Sequence, residues 1–534
     1  MSFKTNQFQQ ISLFDQLAFL SSRRLDRLKN SWAQTFSDHI FSRIDESVFA
    51  QLYSPNANSR PNAPINVLVG ALILKEYTGL TDEELVDSCL LDYRFAYALH
   101  LTSYDEPPVS ERSLSRFRAR CAAFELTTGE DLIHQCFVPL AEDIRKYMNI
   151  TPNVRRMDSM MVESNIRKMG RLELLYTCLA NLVILISHDG KPELIEGLMD
   201  YADPNSRNAV CYHDTGTPTE DKLQKVIDDA AVLLPRCREE YGDTSDYQLL
   251  QRAIDEQTKK DDSGRPIPKA KKDGMTADVL QNPADPDATF RMKAGKEHRG
   301  YIANLTETVD ANGSVVTDYQ YDVNTHSDIE FLKETIRASE KKEEPETIIA
   351  DGAYGSKEVS ALAAEKNISV KTTGLRGHKE REILSKFRLS EDEHTVLKCP
   401  EGHKPLHSSF DAKGNRICVS FLRSQCEQCP HRKECLIRLH VRTARTFFSL
   451  DAFHKLALAE EHRTSEEWKK IGRIRNGIET VPSILRSKYH VDRMPFRGKI
   501  RTKHRFGFSL LALNFSKLLR YEKGLEKCRA FQTE

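Results

Sequence analysis

The segment Glu346–Asp351 (ETIIAD) constrains the fold more than any other feature of the sequence, because it is a short β-prone run that ends in an acid. A run of this length and composition predicts a strand buried in a sheet. Its last residue, Asp351, would then lie at the carboxyl end of the strand, where active sites of α/β sheets gather. A single acid is usually a surface charge or a helix cap, and neither explanation suits one that directly follows Thr347–Ala350.

A second acid, Asp158, lies within another β-prone run, residues 153–162 (NVRRMDSMMV). Further along the chain we predict a hairpin of residues 300–310 and 315–323 around Asn312-Gly313, a helix over 328–342, a helix over 357–366 and a strand over 368–373. Without its insertions, this order is that of a ribonuclease-H-like α/β domain with a mixed sheet. The first and fourth strands of that fold are neighbours, so Asp158 and Asp351 would meet.

A third acid, Glu479, lies among apolar residues at helical spacing: Ile474, Ile478, Val481 and Leu485. Arg475 precedes it by one turn and Arg486 follows it by two, so a regular helix would carry all three on roughly one face. Pro482 removes a helix N–H and would kink this segment just after Glu479.

Three carboxylates brought together suit Mg²⁺, which proteins bind through carboxylates, water and substrate phosphate. Two such ions about 3.5–4 Å apart activate the attacking oxygen and stabilise the leaving oxygen in phosphoryl transfer. Carboxylates at such short distances repel one another, so either a metal ion lies between them or one of the acids stays protonated.

Residues 1–145 are predicted to be helical. Ser110 begins a short helix that presents Arg112 and Arg116, which is consistent with a DNA-binding helical module, the alternative being an ordinary surface helix. The remaining divisions are a catalytic core from 150–165 and 285–380, a helical insertion with a linker at 166–284, a cysteine-rich insertion at 395–448, and a helical C-terminal part of the core at 451–534. We expect a loop near 202–218 and a linker over 259–273.

The cysteine-rich insertion is predicted to bind a structural metal. The candidate ligands are Cys399, Cys426, Cys429 and Cys435. Four thiolates, or three with His403, would satisfy tetrahedral zinc, and the metal would replace the missing core of a short polar region. An iron–sulfur cluster and reduced unliganded cysteines are the alternatives, and Cys418 and His431 are spare candidates.

Charge is balanced overall, with 78 basic and 78 acidic residues, but its distribution is uneven. Residues 484–505 contain one acid, Asp492, and eight basic residues: Arg486, Lys488, Arg493, Arg497, Lys499, Arg501, Lys503 and Arg505. Such a stripe neutralises DNA phosphates, or it is a solvated basic face.

The N-terminus lacks a basic region followed by an apolar run, and we find no run of 18 apolar residues, so we expect a cytoplasmic protein without a membrane span. In a reducing compartment, the twelve cysteines are expected to be thiols or metal ligands.

Together these segments resemble bacterial insertion-sequence transposases of the Asp-Asp-Glu (DDE) type, over about residues 40–525. The matching segments are PINVLVGALILKEYTGLTDEELVD, SERSLSRFRARC, RRMDSMMVESN, DPDATFRMKAGKEHRGYIANLTETVD, ETIIADGAYGS, RNGIETVPSILRSKY and FRGKIRTKHRFGFSLLALNFSKLLR. Related families place a Tyr, an Arg and a Lys around the Glu. Arg475 and Arg486 match in charge, whereas Gly472 stands at the position of the Tyr.

The resemblance implies a DNA transposase that cleaves transposon ends and transfers strands into target DNA. Asp158, Asp351 and Glu479 would be the catalytic residues and would bind two Mg²⁺ or Mn²⁺ ions. The expected partners are double-stranded terminal repeats and target DNA, with a homodimer acting near the bacterial nucleoid. The expected DNA contacts are Arg475, Arg486, Lys488, Arg497, Lys499, Arg501, Arg112 and Arg116. The alternatives are a metal-dependent nuclease without strand transfer and a catalytically dead DNA-binding descendant.

Overall fold

The structure is a computed structural model of the chain. It describes residues 1–6, 16–56, 58–101, 109–270, 273–274, 276–293, 295–341, 343–354, 357–373, 382–412, 414–435, 437–450, 452–454, 466–525, 527–528 and 531. The chain divides into two compact units. The first unit comprises Met1–Thr151, Ser159–Phe331 and Thr480–Lys527, and the second comprises Pro152–Asp158, Leu332–Glu479 and Cys528–Glu534.

The N-terminal part of the first unit is helical, as predicted. Its helices are α1 (Ser22–Lys29), α2 (Trp32–His39), α3 (Ile65–Thr78), α4 (Asp82–Leu91), α5 (Tyr93–Ala98), α6 (Glu111–Thr128) and α7 (Leu132–Tyr147). Helix α3 ends at Gly79 with φ +77°, a left-handed conformation that glycine adopts without strain. Thr81 and Glu84 form the capping box that begins α4, and Ser110 caps α6.

The insertion after the first strand is helical, and it contains more regular structure than predicted. Its elements are α8 (Arg171–His188), α9 (Pro204–Asn208), a π-helix (Ala209–His213), α10 (Thr219–Tyr241), α11 (Ser245–Gln257), β2 (Thr258–Lys260) and β3 (Pro266–Pro268). The predicted loop over 202–218 is wrong, because short helical segments occupy its first part. The predicted linker over 259–273 is also wrong in part, because β2 and β3 pair there as an antiparallel hairpin.

Helix α8 is long and apolar enough to cross a bilayer by length and composition, although polar residues interrupt its apolar sequence. In this structure 61% of that helix is buried inside the protein. Leu175, Leu179 and Leu182 pack into the apolar core that α8 shares with α10 and α11. This burial is typical of the core helix of a helical bundle.

The strands of the first unit form an antiparallel arrangement that packs on helices. They are β4 (Thr289–Lys293), β5 (Lys296–Asp310) and β6 (Gly313–Val323), and β5 also lies beside β1 (Val154–Glu163). The predicted hairpin is confirmed, but its loop is the two residues Ala311-Asn312 rather than the four residues 311–314, because Asp310 pairs with Gly313 and Val309 with Ser314. Gly300 has φ +143°, and a Cβ there would overlap the carbonyl oxygen of Val162. That glycine therefore lets β5 approach the end of β1.

Helix α17 (Lys499–Glu522) anchors this arrangement by packing on β6, α7 and α3. Asn514 of α17 is fully buried, and its amide bonds both main-chain groups of Val316: Oδ1 accepts from N at 3.0 Å and Nδ2 donates to O at 2.8 Å. Lys517, also buried, pairs with Glu307 and donates to Ser314 Oγ at 2.8 Å. Buried polar groups must form their hydrogen bonds, and these bonds fix the position of the helix against the strand.

In the second unit, β1 pairs in parallel with β7 (Glu346–Asp351), and β7 pairs in parallel with β8 (Ile368–Thr373). The accompanying helices are α12 (Asp328–Ala338), α13 (Lys357–Glu365) and α15 (Glu466–Gly477), with α16 (Thr480–Ser487) following in the first unit. The bounds predicted for β7 and β8 are confirmed. The adjacency of the first and fourth core strands, β1 and β7, is confirmed as well, and the α/β class with a helical N-terminal region and a mixed sheet is correct.

The cysteine-rich insertion contains a sheet that the sequence did not predict. β9 (Arg388–Leu389) lies before the predicted start of the insertion and pairs with β10 (Val396–Lys398). The elements that follow are β11 (His407–Asp411), β12 (Arg416–Leu422), α14 (Arg423–Glu427), β13 (Arg438–Leu439) and β14 (Thr443–Ser449). Strands β11 to β14 pair antiparallel in the order β11-β12-β14-β13. One face of this sheet covers a small apolar core that includes Phe387, Phe421 and Phe448.

Candidate functional site

The two strand-borne acids are brought level by the parallel pairing of β1 and β7. Val154 pairs with Thr347 and Arg156 with Ile349. If the same register continues for two more residues along both strands, Asp158 lies opposite Asp351. Both side chains are partly buried, with 17% of Asp158 and 31% of Asp351 exposed. The predicted meeting of these two acids is therefore confirmed.

Glu479 does not lie inside one continuous helix, and that prediction was wrong. Helix α15 ends at Gly477, and Glu479 occupies a two-residue turn before α16 begins. Its N–H donates to Asn476 O at 3.2 Å, which tightens the end of α15. Pro482 lies in the first turn of α16, where a missing N–H costs nothing, so it begins a new helix instead of kinking an old one.

The guanidinium of Arg475 joins all three acids. Its Nη2 lies 3.5 Å from Asp158 Oδ1 and 3.3 Å from Asp351 Oδ2, and its Nη1 donates to Glu479 Oε1 at 2.5 Å. Helix α15 packs on β7 and β8, which places Arg475 over the ends of the two strands. All four residues belong to the second unit, so one compact body carries the whole group.

This arrangement gathers three carboxylates in a partly buried place and sets the Arg475 guanidinium among them. Arg475 is 8% exposed, and its Nε has no hydrogen-bond partner among the described residues. Three carboxylates and one guanidinium leave a formal excess of two negative charges. Carboxylate oxygens from separate elements, with net negative charge between them, are the donor set that Mg²⁺ and Mn²⁺ accept. The acids therefore fit a divalent-cation site.

Arg156 holds the helix of Arg475 against β1, and sequence reasoning did not identify it. Its side chain is 4% exposed, and its Nη1 donates to the carbonyl oxygen of Ile474 at 2.6 Å. The same guanidinium packs on Gly477, where an added Cβ would overlap Nη1. The signal in the sequence was the basic pair Arg155-Arg156, which ends two residues before Asp158 in a strand whose other residues predict burial.

The four candidate metal ligands in the cysteine-rich insertion line one small cavity of about 20 Å³. Among the residues around it are Cys399, Cys426, Cys429, Cys435, His403 and His431. A space of this size holds about one water-sized atom. Cys418 does not line this cavity and is exposed on β12 instead. The four predicted ligands therefore lie around one cavity, and the spare candidate Cys418 lies outside it.

Two tight turns present these cysteines. Gly402, at φ +81°, closes a turn in which Cys399 O accepts from Gly402 N at 2.8 Å and Cys399 N donates to His403 O at 3.0 Å. The second turn follows α14, where Cys429 N donates to Cys426 O at 3.4 Å. Backbone folded closely around a cysteine is how small metal sites present their sulfur atoms.

The thiols lie close enough to influence one another's protonation. Burial, reinforced by Cys429 and Cys399, raises the pKa of Cys426 to about 11. Burial, reinforced by the other three cysteines, raises the pKa of Cys435 to about 12. A zinc ion binds thiolates, so it would supply the positive charge that these buried thiols lack. The donor set fits zinc.

A different group of possible ligands lies in the first unit, and the sequence did not single it out. Glu125, Asp131 and His504 offer ligand atoms within 4.8 Å of one another. Lys503 pairs with both carboxylates, and His504 Nε2 lies 2.6 Å from Glu125 Oε2. Burial opposes ionisation of Asp131, but Lys503 and His504 outweigh it and hold the pKa of that carboxyl below its usual value. We interpret this group as an ion-pair network that joins α6 to α17.

Two of the basic residues expected to contact DNA form ion pairs among the described residues of the first unit. Arg486 Nε lies 3.1 Å from Asp492 Oδ2, and Lys499 Nζ lies 2.6 Å from Asp322 Oδ1. Each of these bases is therefore partly neutralised by an acid of the fold. The excess of positive charge along residues 484–505 is smaller in the structure than in the sequence.

Two further bases of that segment contact neutral groups. Arg497 Nε donates to Asn165 O at 2.8 Å. Lys488 Nζ lies 4.8 Å from the centre of the Tyr77 ring and 5.1 Å from that of Tyr489, and burial lowers the pKa of its amine. These positions keep a positive charge that no acid pairs with among the described residues.

Arg112 and Arg116 on α6 and Arg501 on α17 are exposed. Within the part of the chain that the structure describes, none of the three forms an ion pair. Like Lys488 and Arg497, which are also exposed, these three residues present a solvent-facing charge that no acid pairs with among the described residues.

Comparisons with known proteins match two parts of the chain. A family model described as "Transposase DDE domain" matches residues 398–519, and one described as "Transposase domain (DUF772)" matches residues 24–120. The first match includes the cysteine cluster and Glu479, and neither includes Asp158 or Asp351. Among solved structures, the chain is similar to the cryo-EM structure of a piggyBac transposase synaptic complex with hairpin DNA, at 10% identity, 97% coverage of this chain, 78% coverage of that chain and a TM-score of 0.28. No curated protein matches the chain.

The contact between Arg156 and Gly477 yields a direct test on one helix. Gly477→Ala is expected to displace the Arg156 guanidinium and loosen α15, since the new methyl group would overlap Nη1. Hydrogen exchange of residues 466–479 should increase at least about tenfold, corresponding to about 1.4 kcal/mol of local stability.

Gly472→Ala is the matched control. It lies in the same helix with no described atom within 4 Å of the added Cβ, so it should leave exchange unchanged or slow it. Equal effects of the two substitutions would contradict a positioning role for Arg156.

Proposed function

We propose that this chain, which matches transposase family models over residues 24–120 and 398–519, cleaves DNA at the ends of its element and joins those ends to target DNA. Its catalytic carboxylates would be Asp158, Asp351 and Glu479. The observation that carries this proposal is the convergence of the three acids on Arg475. Acids from two neighbouring strands and a following helix turn form the donor set that phosphoryl transfer requires.

Two phosphoryl transfers account for the reaction. In the first, a water oxygen bonds to phosphorus at the element end while the bond from phosphorus to the 3′ oxygen breaks, and that oxygen takes up a proton. In the second, the freed 3′-hydroxyl oxygen bonds to a target phosphorus, and the 3′ oxygen of the target strand leaves. Neither step needs a covalent protein intermediate, so no nucleophilic side chain is required.

The residues of this chain supply position and charge. Asp158, Asp351 and Glu479 would hold two divalent cations, Mg²⁺ or Mn²⁺, which would supply positive charge to the attacking and leaving oxygens. Asp158 and Asp351 are fixed by the pairing of β1 with β7, and Glu479 is fixed by the turn after α15. Arg475 offsets one of these three negative charges before DNA arrives, and its planar guanidinium suits a phosphate oxygen once the acids hold cations.

We propose a structural zinc ion on Cys399, Cys426, Cys429 and Cys435, with His403 and His431 as neighbours of the site. The support is the cavity that the four thiols share and their mutual effect on protonation. The ion would join the two turns to the sheet of the insertion and stand in for the larger apolar core that so short a region lacks.

The proposed partner is double-stranded DNA carrying the terminal repeats, together with target DNA. Arg112, Arg116 and Arg501 are proposed as its phosphate contacts, with Lys488 and Arg497 beside them. Arg486 and Lys499 would join them by exchanging an acid of the fold for phosphate. Because two ends must be cut together, we propose a homodimer on the DNA, acting in the bacterial cytoplasm at the nucleoid.

Cleavage of linear DNA carrying the native element ends tests the catalytic assignment. With Mg²⁺ or Mn²⁺, Asp351→Asn should lower the cleavage rate by more than about 100-fold, since it removes a cation ligand. Glu365→Gln, an exposed acid at the end of α13, should cleave as the parent protein does.

Joined products identify a transposase, and cleavage without joining would favour a nuclease. Specific DNA binding without cleavage in either protein would favour a catalytically dead descendant. A cleavage rate of Asp351→Asn equal to that of the parent protein would contradict the assignment of the three catalytic carboxylates.

Arg475 is predicted to compete with cations for the carboxylates. In the absence of DNA, Arg475→Gln should bind Mn²⁺ at least about tenfold more tightly, because no guanidinium has to leave the three acids. Electron paramagnetic resonance of unbound Mn²⁺ measures this. The control is Arg473→Gln, an exposed arginine of the same helix. Equal or weaker Mn²⁺ binding by Arg475→Gln would contradict the competition.

Metal content tests the zinc proposal. Protein purified without chelators should contain about one zinc ion per chain by mass spectrometry, and Cys426→Ser should lose it. Cys418→Ser, which changes an exposed cysteine of the same insertion outside the cavity, should retain it. Iron with visible absorbance would instead indicate an iron–sulfur cluster, and metal-free protein would contradict the site.

A further inference from the structure

The sheet of the cysteine-rich insertion has one face that no described element covers. Along β12 and β14 the side chains alternate, and the inward set is buried: Ile417, Val419, Phe421, Ala444, Thr446 and Phe448. The outward set comprises the residues between them. Because the strands pair in a known register, these outward residues form rows across the sheet.

One of these rows places two arginines side by side. Arg445 of β14 pairs with Arg438 of β13 on one side and with Ser420 of β12 on the other, and Ser420 pairs with His407 of β11. Both arginines are exposed, and neither forms an ion pair within the described ranges of the chain. Like charges directly opposite each other destabilise a sheet. A bound anion would relieve that repulsion.

The positive charge extends beyond the pair. Residues 432–445 contain five basic residues and one acid, Glu434. The bases are Arg432, Lys433, Arg438, Arg442 and Arg445, and all are exposed. In the segment 484–505, by contrast, acids of the fold neutralise several bases. The insertion therefore presents the less neutralised of the two basic segments.

The next row, about 7 Å along the strands, carries an aromatic ring. Phe447 of β14 pairs with Cys418 of β12, which pairs with Ser409 of β11. Phe447 is 53% exposed, which is unusual for a phenylalanine in a sheet. The ring lies in the row next to the arginines, with the Ser420 hydroxyl in the arginine row and that of Ser409 further along its own row. Such a face offers one surface for a base and another for the adjoining phosphate.

We propose that this outer face, defined by Arg438, Arg445, Phe447, Ser409 and Ser420, binds an unpaired DNA strand. The proposal rests on the DNA transposase function, since cleavage and joining expose unpaired strand near the reacting phosphates. The two arginines bind consecutive phosphates, and Phe447 stacks on a base. A duplex buries the faces of its bases, so its backbone would use the arginines and leave the ring without a partner. A second copy of this chain would present the same positive face, so the two faces would repel.

Binding of the full-length protein to a fluorescent single-stranded oligonucleotide tests the face, with anisotropy measured over a range of salt concentrations and without added Mg²⁺ or Mn²⁺. Phe447→Ala should weaken binding roughly tenfold and leave the salt dependence unchanged, because stacking is not ionic. Arg438→Ala with Arg445→Ala should also weaken binding. It should reduce the slope of log affinity against log salt by about 0.7 for each phosphate that the arginines no longer neutralise.

Two controls match these variants. Arg423→Ala removes an arginine of the same insertion that pairs with Glu427, and Leu422→Ala removes an exposed apolar side chain from the same face. Both should bind single-stranded DNA as the parent protein does. Retained zinc content and an unchanged circular dichroism spectrum establish that each variant is folded.

Parent-like affinity in both test variants would overturn the proposal. So would an equal loss of duplex binding in Phe447→Ala, which would indicate a role unrelated to stacking, or a change of oligomeric state without a change in DNA binding. If the parent protein fails to cleave DNA yet the face variants lose single-strand binding, the catalytic proposal fails and the binding face stands. If the parent cleaves and the variants bind normally, only the binding face is lost.

Discussion

The site depends on the mutual compensation of three carboxylates and one guanidinium. Asp158, Asp351 and Glu479 come from separate segments, and each would repel the others if it were brought there without a counter-charge. Arg475 reaches all three from a position that is almost fully buried. The pairing of β1 with β7, the end of α15 and the close fit of Arg156 on Gly477 all serve to place that one side chain.

The same balance explains why the acids suit a cation. A guanidinium neutralises one of the three charges and leaves an excess that a divalent ion would remove. In the proposed mechanism Arg475 and the cations compete for the same oxygens, while DNA phosphate offers Arg475 another partner. Cation binding and DNA binding are then coupled, because each favours the same position of one arginine. The cysteine-rich insertion poses a similar problem, since its buried thiols remain protonated until a cation joins them.

Much of the fold could be predicted because the relevant signals are local. The capping box of Thr81 and Glu84, the strand Glu346–Asp351 and the Asn-Gly hairpin each depend on residues within a few positions of one another. The errors arose where local signals compete. Pro482 is compatible with a kink inside a helix or with the first turn of a new one, and only the packing of α15 decides. The sheet of the insertion was missed because its alternating strands are short and lie within a segment dominated by cysteines.

The amino-acid sequence by itself determined which residues are candidates for the chemistry: the two strand-borne acids, Glu479 and the four cysteines. Their types, and the strands that carry the two aspartates, can be recognised because strand periodicity and ligand chemistry are properties of short segments. Only the tertiary structure decided which charges remain available. The sequence does not show that acids of the fold lie beside Lys499 and Arg486, so that DNA phosphate would have to replace them. Arg438 and Arg445 become a pair only when β13 meets β14. Charge compensation acts through space over a few ångströms, so sequence distance does not reveal it.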